Sequence, residues 1–512
     1  MVTSGASSPD RVFPATREHR VIFVLWLVLL AQGVIFAFIQ PVWSRVDEAQ
    51  HFHYVQYLAE NRSLPVEGQT FVSPEVVNVS VKADQWGWRP VGALSTPAYL
   101  DPSFWQKVPE ELDDQDREKW VRRNLWRFNY EAMQPPVYYA VNAPVYAALP
   151  GDSFVKLYGL RLLAAMLASA MVPLTWLTAR ETLPDNRLVV YGAPVAMLLT
   201  QGYALNMSQI TNDALVVPLA AAAVLLLLRL VSRGLSWRRS LVVGLVIGAS
   251  LLTKLTTIFL LPVALAALLL PVYYRREKPG RALAQAGIVF GAAAAIMAPW
   301  LAHNFAVYGD ATGASAARPL MSSFFNSPLE GLGSLRLDEL LPTFWFGEPV
   351  FPFAFWTYAW LAAGTAMAVA FIGVLYFFVG TDDAAGNRDF AGTDDVAETT
   401  DFSGSDDLGD EASSGAGAAG SGRLSEARLR VNFVTAAFVI GVAVNLFIPF
   451  GSGIGGVPGR YFYTLLPVGC FLLIFGIDRL LRRRRALFFA EVLLVWMLVW
   501  ESLNFLAYIR NL

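Results

Sequence analysis

The sequence predicts an all-α, polytopic membrane protein of about 11 transmembrane helices with a large first extracytoplasmic loop. Three observations predict it. Of 512 residues 55% are apolar and only 16% charged, with a mean hydropathy of +0.45, whereas a soluble domain carries about a quarter charged residues. Several apolar runs reach the roughly 20 residues of helix needed to cross about 30 Å of hydrocarbon. These runs are continuous in Leu, Ala and Val rather than alternating, so of the two structures that satisfy their backbone in lipid they suit helices and not a barrel.

The elements follow in order. Arg11, Arg17 and Arg20 precede an apolar stretch over 21–39. It is longer than the apolar region of a signal peptide and no small-residue cleavage pattern follows, so it reads as a retained helix, about 21–40. Residues 41–133 are polar, aromatic and broken by Pro65, Pro74, Pro90, Pro97, Pro102 and Pro109, which forbids a long helix. The apolar piece 135–149 holds Asn142, Pro144 and several tyrosines. It is too short and polar for a span and reads as a helix lying at the membrane surface, where tyrosine is favoured.

Spans are then expected at about 156–178, 188–206, 212–231, 240–253, 255–273, 282–302, 353–379, 431–450, 461–480 and 486–508. With the N-terminus cytoplasmic, the inner connections hold Arg180 and Arg187; Arg233, Arg238 and Arg239; Arg275, Arg276, Lys278 and Arg281; and Arg482 to Arg485. Every short inner loop is basic, as the positive-inside rule requires. Counting 135–149 as a span would turn the clusters at 233–239 and 275–281 outward, and the charge pattern rejects that count.

Residues 381–422 are rich in Asp, Gly, Ser and Ala with a single Arg388, a composition that cannot bury enough surface to fold. The expected organisation is an N-terminal membrane module, 1–380, including the extracytoplasmic loop 41–155. A disordered acidic cytoplasmic linker, 381–430, and a C-terminal three-helix membrane block, 431–512, follow. A single cysteine, Cys470, excludes an intrachain disulfide, and a net charge of -2 gives no reason to expect a nucleic-acid partner.

Behind the first helix stand Asp47, Glu48 and His51. On a continuing helix Asp47 and His51 lie at i,i+4 and Glu48 and His51 at i,i+3, on one face, while His53 points away. Two readings stand: a general base, with or without a divalent cation, or acids that simply favour a helix N-terminus. Gln134, Pro135 and Pro136 open the surface helix, followed by Tyr138 and Tyr139. Asp213 follows Asn212 at the outer start of a span, where it is either a cap or a functional group. Lys254 lies at an outer turn, either snorkelling or holding an anion such as a lipid phosphate. Arg460, after a Gly/Pro-rich loop, is an outer cation suited to phosphate. His303, Asn304, Tyr308, Asp310, Trp345 and Glu348 belong to an outer loop, 303–352. The sequence holds no Walker loop, no Cys/His zinc spacing and no nucleophile elbow.

Taken in order, these residues resemble the GT-C superfamily of polyprenyl-phosphate-sugar-dependent glycosyltransferases, in particular bacterial enzymes related to protein mannosyltransferases and the lipid A aminoarabinose transferase. The likeness rests on Asp47-Glu48, Gln134 to Tyr139, Leu160 to Leu163, Thr211 to Asp213, Leu252 to Lys254, Pro299 to Asn304 with Tyr308 to Asp310, and Gly459 to Phe462. It spans most of the chain outside 381–430. Gln134 and His303 depart from it, standing where that family often has His or Lys and Arg respectively.

The resemblance implies a GT-C fold and transfer of a sugar, by inverting displacement, from a polyprenyl-phosphate carrier to a lipid, glycan or protein acceptor. The site would face the extracytoplasmic side of the cell membrane. Asp47 would be the base. Lys254 and Arg460 would stabilise the departing phosphate, and Glu48, His51 and Asp213 would position the acceptor or a divalent cation. Tyr138, Tyr139 and His303 would line the substrate site. No cofactor is required, a divalent cation being optional. Two other classes compete: a flippase or transporter of a lipid-linked carrier, and a non-catalytic partner in cell-envelope assembly.

Overall fold

The computed structural model describes residues 15–43, 47–85, 127–313, 340, 343–345, 356–379, 412–452, 459–481 and parts of 488–499. Helices α1 (Ala15–Ile39), α2 (Glu48–Asn61) and α3 (Pro74–Gln85) come first, then α4 (Val137–Ala148), α5 (Ser153–Ser169), α6 (Met171–Thr182), α7 (Arg187–Leu198) and α8 (Gln201–Met207). They are followed by α9 (Asp213–Arg233), α10 (Trp237–Leu251), a 3-10 turn η1 (Leu255–Phe259), α11 (Leu260–Arg275) and α12 (Pro279–Tyr308). The last are α13 (Trp356–Val379), α14 (Ala412–Ser452), the 3-10 turn η2 (Gly459–Leu465) and α15 (Leu466–Leu480). Among the described residues the only β contact is an isolated bridge between Phe71 and Phe128.

Local chemistry sets the boundaries. Asp152 accepts from the amides of Phe154 and Val155, Asn186 from Val189 and Ser236 from Arg239, each satisfying an amide the first helical turn leaves unpaired. Pro279 opens α12 and Gly309, at φ 77°, ends it, proline and glycine serving the ends they suit. Among the described residues seven helical segments are long and apolar enough to cross a membrane, or eight if α7 and α8 count as one span.

Two expected spans differ in form. The span expected over 188–206 is bent by 52° between α7 and α8. Its second half is tied sideways rather than continuing straight: the Tyr203 hydroxyl donates to Ala168 O at 2.8 Å, Asn206 reaches the Tyr463 hydroxyl at 3.4 Å and Gln40 donates to Leu205 O at 2.9 Å. The span expected over 240–253 is the 15-residue α10, about 22 Å long at 1.5 Å per residue. It packs along the longer α12. Gly244 and Gly248 lie so close to Val289, Ala292, Ala293 and Ile296 that a methyl group would clash at either position.

Helices on the two sides of residues 381–430 share one core. Helix α15 packs against α13, α7 and α6, and α14 against α11 and α9, in one apolar cluster shared with α1 and α12. Helix α14 begins at Ala412. Leu429, Val431, Phe433 and Val434 are buried, and Arg275 donates to Glu426, so this stretch has both the apolar face and the ion pair a helix needs. Residues 381–411 lie outside the described residues.

Helix α9, 21 residues long, joins two polar ends. At its C-terminal end Arg233 and Ser232 donate to Glu181, Arg275 to Ser232 O and Arg281 to Leu235 O. The basic connections α6–α7, α9–α10 and α11–α12 gather there. The opposite end of α9 carries Asp213 and the cluster described next. Beneath that cluster a second apolar core joins Phe52, Tyr54 and Val55 of α2 to Val76 and Val79 of α3, Tyr138 and Tyr139 of α4, Leu157 of α5 and Ile210.

Candidate active site

Arg161 stands in an otherwise apolar stretch of α5, where a charge demands a partner. Its partner is Glu48, both side chains being 0% exposed. Nε donates to Oε1 at 2.8 Å and Nη2 to Oε2 at 2.6 Å, the bidentate pairing that suits a guanidinium. The remaining donors satisfy carbonyls at the end of α1: Ala37 O at 3.0 Å, Gln40 O at 2.9 Å and Pro41 O at 2.8 Å. Glu48 Oε1 also accepts from Ile210 N at 3.2 Å. Glu48 thus meets a guanidinium and a backbone amide of the fold itself. Its oxygens are occupied and sealed, and it anchors the first residue of α2.

Asp47 precedes that anchor and faces outward from it, its side chain 31% exposed. Oδ1 accepts from the Tyr130 hydroxyl at 3.1 Å, and Oδ2 lies 3.5 Å from Arg460 Nη2. Lys254 Nζ donates to Asp213 Oδ1 at 2.6 Å, with side-chain exposures of 14% and 10%. The two cations flank one ring: Lys254 Nζ and Arg460 Cζ are each 5.8 Å from the centre of Tyr461. The turn carrying Lys254 is tied to the start of α4 by Val137 N donating to Leu252 O at 3.1 Å. Asn212 donates to Gln134 Oε1 at 3.4 Å. Residues far apart in the chain thus converge as one carboxylate, one acid–ammonium pair and one guanidinium.

His51, Tyr138 and Tyr139 form the buried wall of this site rather than its open surface. His51 Nδ1 is 2.9 Å from the Tyr139 hydroxyl, and the Tyr139 ring stacks on Tyr54 at 3.6 Å. Burial pushes the His51 imidazole down to about 4, against the opposing pull of Asp47, so it is neutral near pH 7. Tyr138 and Tyr139 are fully buried, and it is the Tyr139 hydroxyl that reaches His51. His53 points elsewhere, 3.0 Å from Asn129 Nδ2. Glu131 was not singled out by sequence reasoning, since an acid in a polar loop carries no pattern. Here it is buried, with Oε2 3.9 Å from His51 Nδ1.

Arg460 is placed by the residue before it. Gly459 N donates to Thr343 Oγ1 at 2.9 Å and the Tyr463 hydroxyl donates to Phe344 O at 2.9 Å. A side chain at 459 would collide with the backbone of Phe344 and with Leu340 O, atoms that cannot swing aside. Gly459→Ala is accordingly expected to destabilise the protein by about 1–3 kcal/mol, read as a lower unfolding midpoint in detergent. An unchanged midpoint would show that this contact is loose.

His303 is half-buried on α12, and no hydrogen bond or ion pair among the described residues joins it to the cluster. Tyr308 does approach, its hydroxyl accepting from Glu67 N at 3.1 Å. Phe346 to Glu348 fall outside the described residues. No three His, Cys, Asp or Glu side chains among those described converge as metal ligands would.

Residues 134–303, from the start of the α4 segment through α12, match the dolichyl-phosphate-mannose-protein mannosyltransferase family. A comparison with curated proteins gives no significant match. Among solved structures the chain is similar to the apo form of an oligosaccharyltransferase from Archaeoglobus fulgidus, at 12% identity and a TM-score of 0.48, over 95% of this chain and 55% of that one. The chain thus spans about half the length of that relative. The match to the mannosyltransferase family covers about a third of the chain and runs through Gln134, Arg161, Asp213 and Lys254 of an all-helical membrane fold.

Proposed function

We propose that the protein transfers a sugar from a polyprenyl-phosphate carrier to a hydroxyl- or amine-bearing acceptor at the extracytoplasmic face. The observation that carries this reading is the convergence of an accessible carboxylate, Asp47, with two cations, Lys254 and Arg460, around Tyr461. The gathering of the basic connections at the far end of the bundle supports the sidedness, since short basic loops stay cytoplasmic.

Asp47 takes the proton of the acceptor as the acceptor oxygen or nitrogen bonds to the anomeric carbon. The bond from that carbon to the phosphate oxygen breaks, and its electron pair leaves with the polyprenyl phosphate. A single base and a single displacement invert the anomeric centre, where retention would call for a second carboxylate as nucleophile. Negative charge grows on the leaving phosphate, and stabilising it is the larger task. Lys254, whose ammonium has three donors, and Arg460 carry the positive charge that offsets it. Glu48 and Arg161 act through Asp47, fixing the chain on which it stands.

The test is transfer from radiolabelled polyprenyl-phosphate sugars by purified protein in nanodiscs. Lys254→Ala is expected to lower kcat/KM by about 10²-fold, the scale for removing one donor to a developing anion. Asp213→Asn is expected to cost less, because it leaves the ammonium in place. Transfer by the wild type with an inverted product supports the reading. Carrier binding with no transfer to any hydroxyl or amine acceptor would overturn it in favour of carrier translocation.

A further inference from the structure

Glu131 is a buried carboxyl beside the site that the reaction described above does not use. Its turn is rigid: Glu131 N donates to Asn129 Oδ1 at 3.0 Å and Gln134 N to Glu131 O at 2.9 Å. Asn129 is itself fixed to Gln50 O at 3.3 Å and to His53 at 3.0 Å. The residue is 9% exposed, and Oε2 is buried without a hydrogen-bond partner among the described residues. His51 Nδ1, 3.9 Å from Oε2, is engaged by the Tyr139 hydroxyl at 2.9 Å. Leaving a buried polar atom unpaired costs about 1–3 kcal/mol, a cost that persists only where a ligand meets that atom or where the fold demands it.

Glu131 feels the charges of Asp47, Lys254, Glu67 and Arg460, and it is felt by Tyr54 and Tyr139 on α2 and α4, with His51 3.9 Å away. It follows Tyr130, whose hydroxyl donates to Asp47 Oδ1 at 3.1 Å, and so stands beside the base and within the field of the cations. What lies between acceptor and phosphate in a sugar transfer is the sugar. An ionised carboxylate there would repel both Asp47 and the phosphate, whereas a protonated one repels neither. It also offers an O–H donor and a carbonyl acceptor, the pair that a sugar hydroxyl matches.

We propose that Glu131 is a specificity-determining residue which, as the neutral acid, hydrogen-bonds a hydroxyl of the transferred sugar. Burial first, and the Asp47 charge second, hold the proton on, pushing the group up to about 8. The sign follows: below that pH the acid is neutral and binds the sugar, and above it the new negative charge weakens carrier binding. The inference rests on the glycosyl-transfer reading.

Binding to the full-length protein in nanodiscs of neutral lipid tests it, with polyprenyl-phosphate mannose and bare polyprenyl phosphate as probes. Wild type is expected to prefer the sugar-bearing carrier, and to lose about tenfold of that preference between pH 7 and pH 9.5. Glu131→Ala is expected to lose about tenfold of the preference at pH 7 while binding the bare phosphate as wild type does. Glu131→Gln, permanently neutral, is expected to lose less than Glu131→Ala and to show no alkaline fall, an outcome a merely structural role would not produce. An unaltered preference in Glu131→Ala, or an alkaline fall that persists in Glu131→Gln, would overturn the inference while leaving the transferase reading intact. Failure of the wild type to bind either carrier would overturn both.

Discussion

Asp47→Asn is expected to slow sugar transfer by about 10²–10⁴-fold, the scale of a lost general base. The amide has the shape of the carboxylate and still accepts from the Tyr130 hydroxyl, now 3.1 Å from Oδ1, so the fold is retained. It cannot take the acceptor proton. The neighbouring cation makes the prediction sharper than loss of activity alone. Arg460 lies 3.5 Å from Asp47 Oδ2, so on the proposed reaction the carboxylate would compete with the carrier phosphate for the guanidinium. Neutralising Asp47 removes that competitor, and carrier binding is expected to hold or tighten while kcat falls. A loss of binding and kcat together would show that Asp47 builds the phosphate site instead of acting on the acceptor, and full activity would remove it from the mechanism.

How far the site could be read from the chain differs by residue. Asp47, Lys254 and Arg460 stood out because each is an ionisable group at the edge of an apolar run, where a charge needs a reason. The structure gathers them around Tyr461, and most helices follow the hydropathy that predicts them. The surroundings of Glu48 were hidden because they are set by a residue 113 positions away, and adjacency to Asp47 suggested a shared role. A signal for them existed: Arg161, inside an apolar helix, had to find an acid. Glu131 and Asn129 carried no such signal, since a polar loop residue acquires meaning only when folding buries it. The bend between α7 and α8 was likewise hidden, because Tyr203 and Asn206 look like residues of a plain helix until their partners Ala168 and Tyr463 are known.

Arg161→Met is expected to destabilise the protein by about 3–5 kcal/mol, the scale for breaking a buried ion pair from one side. The substitution leaves the Glu48 carboxylate in a setting with 0% exposure and strips the carbonyls of Ala37, Gln40 and Pro41 of their donor. Glu48→Gln should be costly for the converse reason, since it strands a buried guanidinium. The double variant Arg161→Met with Glu48→Met separates the charge from the geometry. If the cost of each single change is the uncompensated charge, removing both charges is expected to restore much of the loss, with the two effects far from additive. The unpaired carbonyls at the end of α1 keep the recovery incomplete. Unfolding midpoints of the three variants in detergent decide this, and additive losses would mean that the pair contributes little as a pair. Because Asp47 is the residue next to Glu48, transfer activity should follow the same pattern, lowest in the single variants. An active double variant would show that the position of Asp47, and not the buried charge itself, is what the pair supplies to the reaction.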